Sequence, residues 1–279
     1  MNDKVCIVTG SNSGIGKETA RGLAQRGFHV VLACRDVGKA EAARKDISAT
    51  TGQRAVEVMP LDLASHSSIR NFAASFAASH DRLDVLVNNA GVWMTSRGTT
   101  KDGLEMTFGV NHVGTALLTQ ELLPLLRRSA PARIVVLSSA LHYRGVMGWD
   151  DLQFERRKYS TLAAYNQSKL ANVLFTKALA RRLAGSGVTV NAVHPGLVLT
   201  ELFRDYPRLM VKLMSPFMKT PEQGAACSLH VATAPELDGV SGEYFENSRT
   251  RPSARAARDE AAQDRLWTLT EALTARRGA

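Results

Sequence analysis

The stretch Thr9–Gly16, TGSNSGIG, joins an apolar run, Lys4–Thr9 (KVCIVT), to a segment with helical spacing, Ile15–Arg26. In that segment Ile15, Thr19, Leu23 and Arg26 recur three or four residues apart, the period of one helix face. A buried strand that turns through glycines straight into a helix commits the chain to a βα start. Glycines there let the backbone approach an anion, and the helix N-terminus offers free N–H groups and a positive dipole end. The spacing is GxxxGxG rather than GxGxxG, and a glycine-rich turn of this kind also occurs as plain structure.

The alternation continues. Phe28–Ala33 predicts a second strand, and Val37–Thr51 an Ala-rich amphipathic helix closed by Gly52 as C-cap. Ala55–Met59, Leu83–Val87, Ile134–Leu137 and Val188–Val193 repeat the strand pattern, with helical stretches around 66–79, 103–128 and 163–184 between them. Short apolar strands alternating with helices imply an α/β fold, a Rossmann-type doubly wound parallel sheet of about seven strands with helices on both faces. No repeat or low-complexity linker interrupts the pattern, so residues 1–279 are expected to form one nucleotide-binding domain. Two parts fall outside the alternation: an apolar segment at about 200–220 and an amphipathic C-terminal helix at about 254–275.

Composition narrows the function classes. The net charge is +9, with basic residues gathered at Arg251–Arg258 and Arg276–Arg277, but no nucleic-acid-binding motif accompanies them. A solvated Arg/Ala surface accounts for the charge, and no nucleic-acid partner is expected. Cys6, Cys34 and Cys227 are odd in number, without CxxC spacing or a neighbouring His cluster. That pattern suits reduced thiols in a reducing compartment, and neither a disulfide framework nor a metal is expected. The opening MNDKVCIVTG has no signal-like stretch and the apolar runs fall short of a membrane span, so a soluble, cytoplasmic protein is expected.

The end of the second strand reads Ala33, Cys34, Arg35, Asp36. An NAD site usually places an acidic side chain there, on the ribose 2′-OH. Here Cys34 takes the acceptor position and Arg35 follows it. A guanidinium suits a 2′-phosphate, which it can bind bidentately. The expected cofactor is therefore NADP(H), with Asp36 the competing acidic group unless it faces solvent or starts the next helix.

TGSNSGIG, NNAG (Asn88–Gly91), Asn111, Ser139 and YNQSK (Tyr165–Lys169) occur in one order, and in this the chain resembles the short-chain dehydrogenase/reductases from Lys4 to about Leu273. TGSNSGIGKETARGLA, VVLACRD, LDLAS, FGVNHVG, SKLANVLFTKALARRL, VHPGLVLTEL and the terminal DRLWTLTEAL are similar to the retinol dehydrogenase branch. The resemblance implies that Gly10, Ser11, Asn12, Gly14, Ile15 and Gly16 hold the cofactor phosphates. It implies that Asp62 and Leu63 meet the adenine, and that Asn88, Ala90 and Gly91 line the ribose side. Pro195, Gly196, Val198 and Thr200 would hold the carboxamide, and Tyr165 and Lys169 would also contact the cofactor. Some relatives that prefer NADP carry a second basic residue where this chain has Ser13, which leaves Arg35 as the discriminator.

Hydride transfer at an alcohol carbon also requires a proton to move at its oxygen. Lys169 lies one helical turn beyond Tyr165, so the two share a helix face. The lysine charge favours the phenolate and should lower the tyrosine pKa, making Tyr165 a general base or acid. Ser139, at a strand tip on the carboxyl edge, would steady the substrate oxygen, with Ser138 facing the other way. Asn111 resembles the residue that keeps a water beside the lysine.

The substrate is harder to read. Leu202, Phe203, Tyr206, Leu209, Met210, Leu213, Met214, Phe217 and Met218 form an adaptable apolar surface after PGLVLT. It fits a small lipophilic substrate, a helix packed on the core or on another subunit, or, with Arg204, Arg208, Lys212 and Lys219 interleaved, a peripheral membrane contact. Membrane-bound relatives carry an N-terminal hydrophobic anchor, and the expectation here is a chain without one. The interval between Ser139 and Tyr165 is longer than in compact relatives, and His142–Ser160 reads as an insertion walling the pocket through His142, Tyr143, Met147 and Trp149. Asp150–Lys158 would be its solvated outer turn. Leu170, Val173, Leu174 and Leu179 serve either the core or a homodimer or homotetramer interface. Two functions stay open: an NADP(H)-dependent oxidoreductase of lipophilic alcohols and carbonyls, or a catalytically silent NADP-binding regulator on the same fold.

Overall fold

The structure, a computed structural model, describes residues 4–198 and 218–275. Eight strands form one sheet in the order β3-β2-β1-β4-β5-β6-β7-β8. They are β1 (Val5–Thr9), β2 (His29–Cys34), β3 (Val56–Pro60), β4 (Val85–Asn88), β5 (Ala132–Leu137), β6 (Val188–His194), β7 (Tyr244–Glu246) and β8 (Arg249–Arg251). All neighbours pair in parallel except β7 and β8. The eighth strand exceeds the expected seven: β7 and β8 have three residues each, too short for a periodicity to show. They join through Asn247 and Ser248 at φ 51 and 58, the left-handed pair that a tight two-residue hairpin requires.

The helices are α1 (Gly14–Gln25), α2 (Val37–Thr51), α3 (His66–Ser79), α4 (Met106–Phe108), α5 (Thr115–Arg128), α6 (Thr161–Arg182), α7 (Pro221–Thr233) and α8 (Glu260–Thr274), with a π-helical turn at Gly109–Gly114 between α4 and α5. Local chemistry sets several ends. Gly52 closes α2 at φ +71, its N–H donating to the Ser48 carbonyl. Thr220 and Gln223 form a reciprocal capping box at the start of α7, with Pro221 at its first position. The expected C-terminal helix begins later than 254, because Asp259 caps α8 by accepting from the Ala261 and Ala262 N–H groups.

Side-chain alternation along the strands divides the core. Val5, Ile7, Val31 and Ala33 pack with Phe72 and Phe76 of α3 and with Leu117, Leu118 and Leu122 of α5. Cys6, Val8, Val30, Leu32 and Cys34 turn to the opposite face, against Leu23, Ala40, Ile47 and Val231. The three cysteines are buried and unpaired. A third cluster lies on the outer side of α6, where Leu170, Val173 and Leu174 meet Leu152 and Leu266. With Leu179 in the core beneath the sheet, all four leucine and valine positions left open between core and partner are buried within one chain. No described helix is long and apolar enough to cross a membrane. The strand order reverses between β1 and β4, and open α/β sheets bind ligands at the carboxyl ends beside such a reversal.

Candidate active site

The loops after β1 and β4 are clamped to each other at that reversal. Thr9 Oγ1 accepts from the backbone N–H of Asn89 at 3.0 Å and of Ala90 at 2.9 Å, and Asn89 Nδ2 donates to the Thr9 carbonyl at 2.8 Å. The clamp leaves no room for side chains in the turn. A Cβ on Gly16 would lie 2.4 Å from Asn89 Nδ2 and 2.5 Å from the Gly10 carbonyl oxygen, and Gly10 itself has φ +64. Ser11 is buried with its hydroxyl donating to the Val8 carbonyl at 2.8 Å, so only its backbone remains for a ligand. At the start of α1, Ser13 makes no capping bond and the first turn carries no acidic residue. Uncapped N–H groups beside a cradle that a Cβ would fill fit an anionic pyrophosphate. Ile15 leans the other way: a Cβ on Gly224 would meet Ile15 at 3.1 Å and Val198 at 2.7 Å, so α7 packs directly on the turn. Thr9 and Asn89, which hold the cradle together, were not among the sequence candidates. The doubled asparagine of NNAG was their signal.

At the end of β2 the Cys34 thiol is buried, 3.5 Å from Ser11 Oγ. Asp36 is spent on structure, because its carboxylate accepts from the Lys39 N–H at 3.0 Å and caps α2. Arg35, between them, is exposed. After β3, Asp62 is half-buried, accepting from the Ala64 N–H and pairing with Lys101 at 3.2 Å. Leu63 is buried beneath Gly114, where a Cβ would lie 2.4 Å from its carbonyl oxygen.

Asn111 and Lys169 converge over Gly91, whose absent Cβ would lie 3.3 Å from Asn111 Oδ1 and 3.6 Å from Lys169 Nζ. Asn111 sits in the π turn rather than in regular helix, and it is fully buried. Its Oδ1 accepts from the Val92 N–H at 2.7 Å, and its Nδ2 donates to the Val92 carbonyl and to Ser168 Oγ. Asn88 is buried and donates to Thr119 Oγ1, so it acts from behind the loop. Lys169 Nζ lies 5.4 Å from the centroid of the Tyr165 ring and donates to the Leu137 carbonyl at 3.1 Å. Asn172 Nδ2 donates to the same carbonyl at 3.0 Å. Immediately beyond Leu137, Ser138 is buried and committed to the Lys169 carbonyl, whereas the next residue, Ser139, is half-buried and its hydroxyl accepts from the Leu141 N–H at 3.2 Å. Burial lowers the Lys169 pKa to about 8, which keeps it mostly protonated at neutral pH. Burial also raises the Tyr165 pKa. In the chain alone desolvation therefore outweighs the lowering expected from the lysine charge.

Around this centre the placements diverge from expectation. His142 has no exposed surface: Nδ1 lies 2.7 Å from the Ser139 carbonyl, and Nε2 accepts from the Ala254 N–H at 3.1 Å. It fixes the Ser139 loop to the C-terminal segment. Met147 and Trp149 pack with the cluster on the outer side of α6, where the Arg265 guanidinium of α8 lies 4.7 Å from the Trp149 ring. Gln167 binds this segment by accepting from the Gly148 N–H and donating to the Leu152 carbonyl. The middle of the insertion thus packs along α6, where Met147 and Trp149 meet its apolar cluster. Tyr143 stays 47% exposed, with its hydroxyl donating to the Pro252 carbonyl. Trp93, not foreseen, lies against the Tyr165 ring at a centroid distance of 4.2 Å. Pro195 and Gly196 follow β6, with Gly196 at φ +94 under the Lys219 side chain, and Val198 is buried. His194, beside them, has its pKa lowered to about 4 by burial and then by the Lys219 charge. Thr200, Leu202 and Phe203 lie outside the described residues.

Comparison with known proteins places this arrangement. The short chain dehydrogenase family profile matches residues 4–208. Human retinol dehydrogenase 13 is 51% identical over 272 residues, covering 95% of this chain and 82% of that protein. Human retinol dehydrogenase 11 is also 51% identical, covering 96% and 84%. Among solved structures, an uncharacterized protein of Mycobacterium paratuberculosis superposes with a TM-score of 0.78 at 37% identity, over 97% of this chain and 93% of that one. The Pseudomonas aeruginosa RhlG/NADP active-site complex gives a TM-score of 0.71 at 27% identity, over 87% and 93%. The chain belongs to the short-chain dehydrogenases, on their retinol dehydrogenase-like branch, and is an oxidoreductase of alcohols or carbonyls.

Proposed function

We propose that this chain interconverts a lipophilic alcohol and its aldehyde or ketone with NADP(H), using Tyr165 as the general acid/base. The observation that carries the reading is the buried Lys169 ammonium, 5.4 Å from the centroid of the Tyr165 ring and lying, like Asn111 Oδ1, beside the space over Gly91. When bound, the nicotinamide supplies or accepts the hydride. The chain's part is to handle the proton and hold the oxygen. In reduction the Tyr165 hydroxyl donates its proton to the carbonyl oxygen, and in oxidation the phenolate takes it back. Burial favours the neutral phenol, the form that reduction uses, and the Lys169 charge works against that preference. Ser139 donates a hydrogen bond to the substrate oxygen as charge develops there. Asn111 Oδ1 keeps a second lone pair toward the space over Gly91 that Lys169 also faces, a place suited to a relay water.

Arg35, exposed while Asp36 is occupied as a helix cap, supports the choice of NADP. RhlG, solved with NADP, is a structural neighbour. Exposed apolar side chains near the site in sequence (Tyr143, Leu162 and Leu197) and Trp93 on the Tyr165 ring support a lipophilic substrate. A panel of lipophilic aldehydes and ketones, including retinoids, tests the reading by loss of NADPH absorbance. Turnover with NADPH well above NADH is expected. Tight cofactor binding with no turnover across the panel would instead indicate a silent regulator.

A further inference from the structure

At the amino ends of β2 and β3, the edge opposite the active site, three side chains converge on a point that the proposed chemistry does not use. Residues 29 and 31 of β2 face the same side, and Val31 pairs in register with Glu57 of β3, so His29 and Glu57 share the α3 face. His80, the C-cap of α3, closes the group from above. One ligand atom from each of His29, Glu57 and His80 lies within 4.8 Å of the others. His80 Nε2 is 2.8 Å and His29 Nε2 is 3.5 Å from the same carboxylate oxygen, Glu57 Oε1. His29 Nε2 and Glu57 Oε1 are shielded from solvent without a well-directed hydrogen bond.

The tautomer of His80 sharpens the question. Its Nδ1 lies 3.3 Å from the Phe76 carbonyl, which can only accept, and 2.9 Å from Ser79 Oγ. With the Ser79 hydroxyl donating to the Ser75 carbonyl at 3.0 Å, Nδ1 is the donor to Ser79 Oγ, and in a neutral ring Nε2 then presents its lone pair to Glu57 Oε1. Two acceptors 2.8 Å apart repel unless a proton or a cation sits between them. An imidazole whose far nitrogen donates to a backbone carbonyl is also the arrangement that orients metal-ligating histidines. His80 is further fixed by stacking on Phe76 at 4.4 Å.

We propose that His29, Glu57 and His80 bind a divalent transition-metal ion of the zinc class, with a solvent molecule completing a tetrahedron. Two imidazoles and one carboxylate suit zinc or cobalt, whereas calcium and magnesium ask for six or more oxygens. Metal–nitrogen bonds of about 2.0–2.1 Å put tetrahedral ligands about 3.3 Å apart, a spacing bracketed by the observed 2.8 and 3.5 Å, with the two imidazoles within 4.8 Å of each other. Such an ion would tie β2, β3 and the end of α3 together. It would be structural, remote from the hydride chemistry.

Cobalt(II) titration of chelator-stripped, untagged full-length protein tests the site through visible d–d absorption, with zinc displacing cobalt in competition. One equivalent per chain with a tetrahedral spectrum is expected. His29→Gln and Glu57→Gln, both at half-exposed positions, should each weaken binding at least tenfold while leaving oxidoreductase turnover intact. Absence of cobalt absorption in the wild type at about 10 μM metal, a modest affinity, overturns the proposal. So does binding of undiminished affinity in both variants, which would put the metal elsewhere. A proton alone between His80 and Glu57 would give the first of these results.

Discussion

Lys169 Nζ donates to the Leu137 carbonyl, and that same oxygen also receives the Asn172 amide. The ammonium is thus held by a partner that does not depend on it, inside a region whose burial lowers its pKa from 10.5 to about 8. A depressed folded-state pKa means that, between about pH 8 and 10.5, the unfolded chain binds a proton that the folded chain has released. Stability from this group therefore rises with pH across that window and is flat below it. The cost of burying the charge is on the order of 3 kcal/mol at neutral pH. In cofactor-free protein, Lys169→Met should be at least as stable as the wild type at pH 7, since Asn172 still satisfies Leu137. The wild type should then gain on the variant as the pH rises. Denaturant melts at several pH values check this, and a stability difference that stays constant from pH 7 to 10 would count against it.

Gly16 leaves no space for even a methyl group, with the Asn89 amide and the Gly10 carbonyl both within 2.5 Å of a Cβ. Gly16→Ala should cost about 1–3 kcal/mol of stability by forcing the two loops apart. It should also weaken NADP binding more than it weakens folding, because the cradle itself is displaced. Thermal melts with and without NADP separate the two effects: the stabilisation by cofactor should shrink in the variant.

Arg35→Ala should raise the Kd for NADP by about 10–100-fold, the loss of a charge-assisted bond to a 2′-phosphate. Affinity for NAD should change little, since Asp36 is held by Lys39 and Cys34 offers no carboxylate. Equal losses for the two cofactors, measured by fluorescence titration, would remove Arg35 from the role.

These residues show how far a linear reading reached. The glycine turn, the strand–helix alternation and the Gly52 cap were legible because each is set by neighbours within a few residues. Thr9 and Asn89 were not, because their work is a contact across some 80 positions of chain, between two loops that meet only when β1 pairs with β4. The insertion after Ser139 misled for a related reason. An apolar residue such as Met147 or Trp149 reads the same whether it faces a ligand or a helix, and only the fold shows that α6 takes it. His142 reads as a wall residue because it opens the insertion. Its two nitrogens bind the Ser139 and Ala254 backbone instead. Strand alternation points Ser138 and Ser139 to opposite faces, but only the resemblance to the family selects Ser139 for the site.

The central claim is that Tyr165 moves the proton, and Tyr165→Phe addresses it with the smallest change available. The ring keeps its contact with Trp93 and its place beside Lys169 while the hydroxyl is lost. Steady-state kinetics with a carbonyl substrate and NADPH, alongside direct titration of NADPH, is the decisive measurement. In Tyr165→Phe, kcat is expected to fall by about 10²–10⁴-fold while the NADPH Kd stays within a few-fold of the wild type. A variant that keeps near-normal turnover would contradict it.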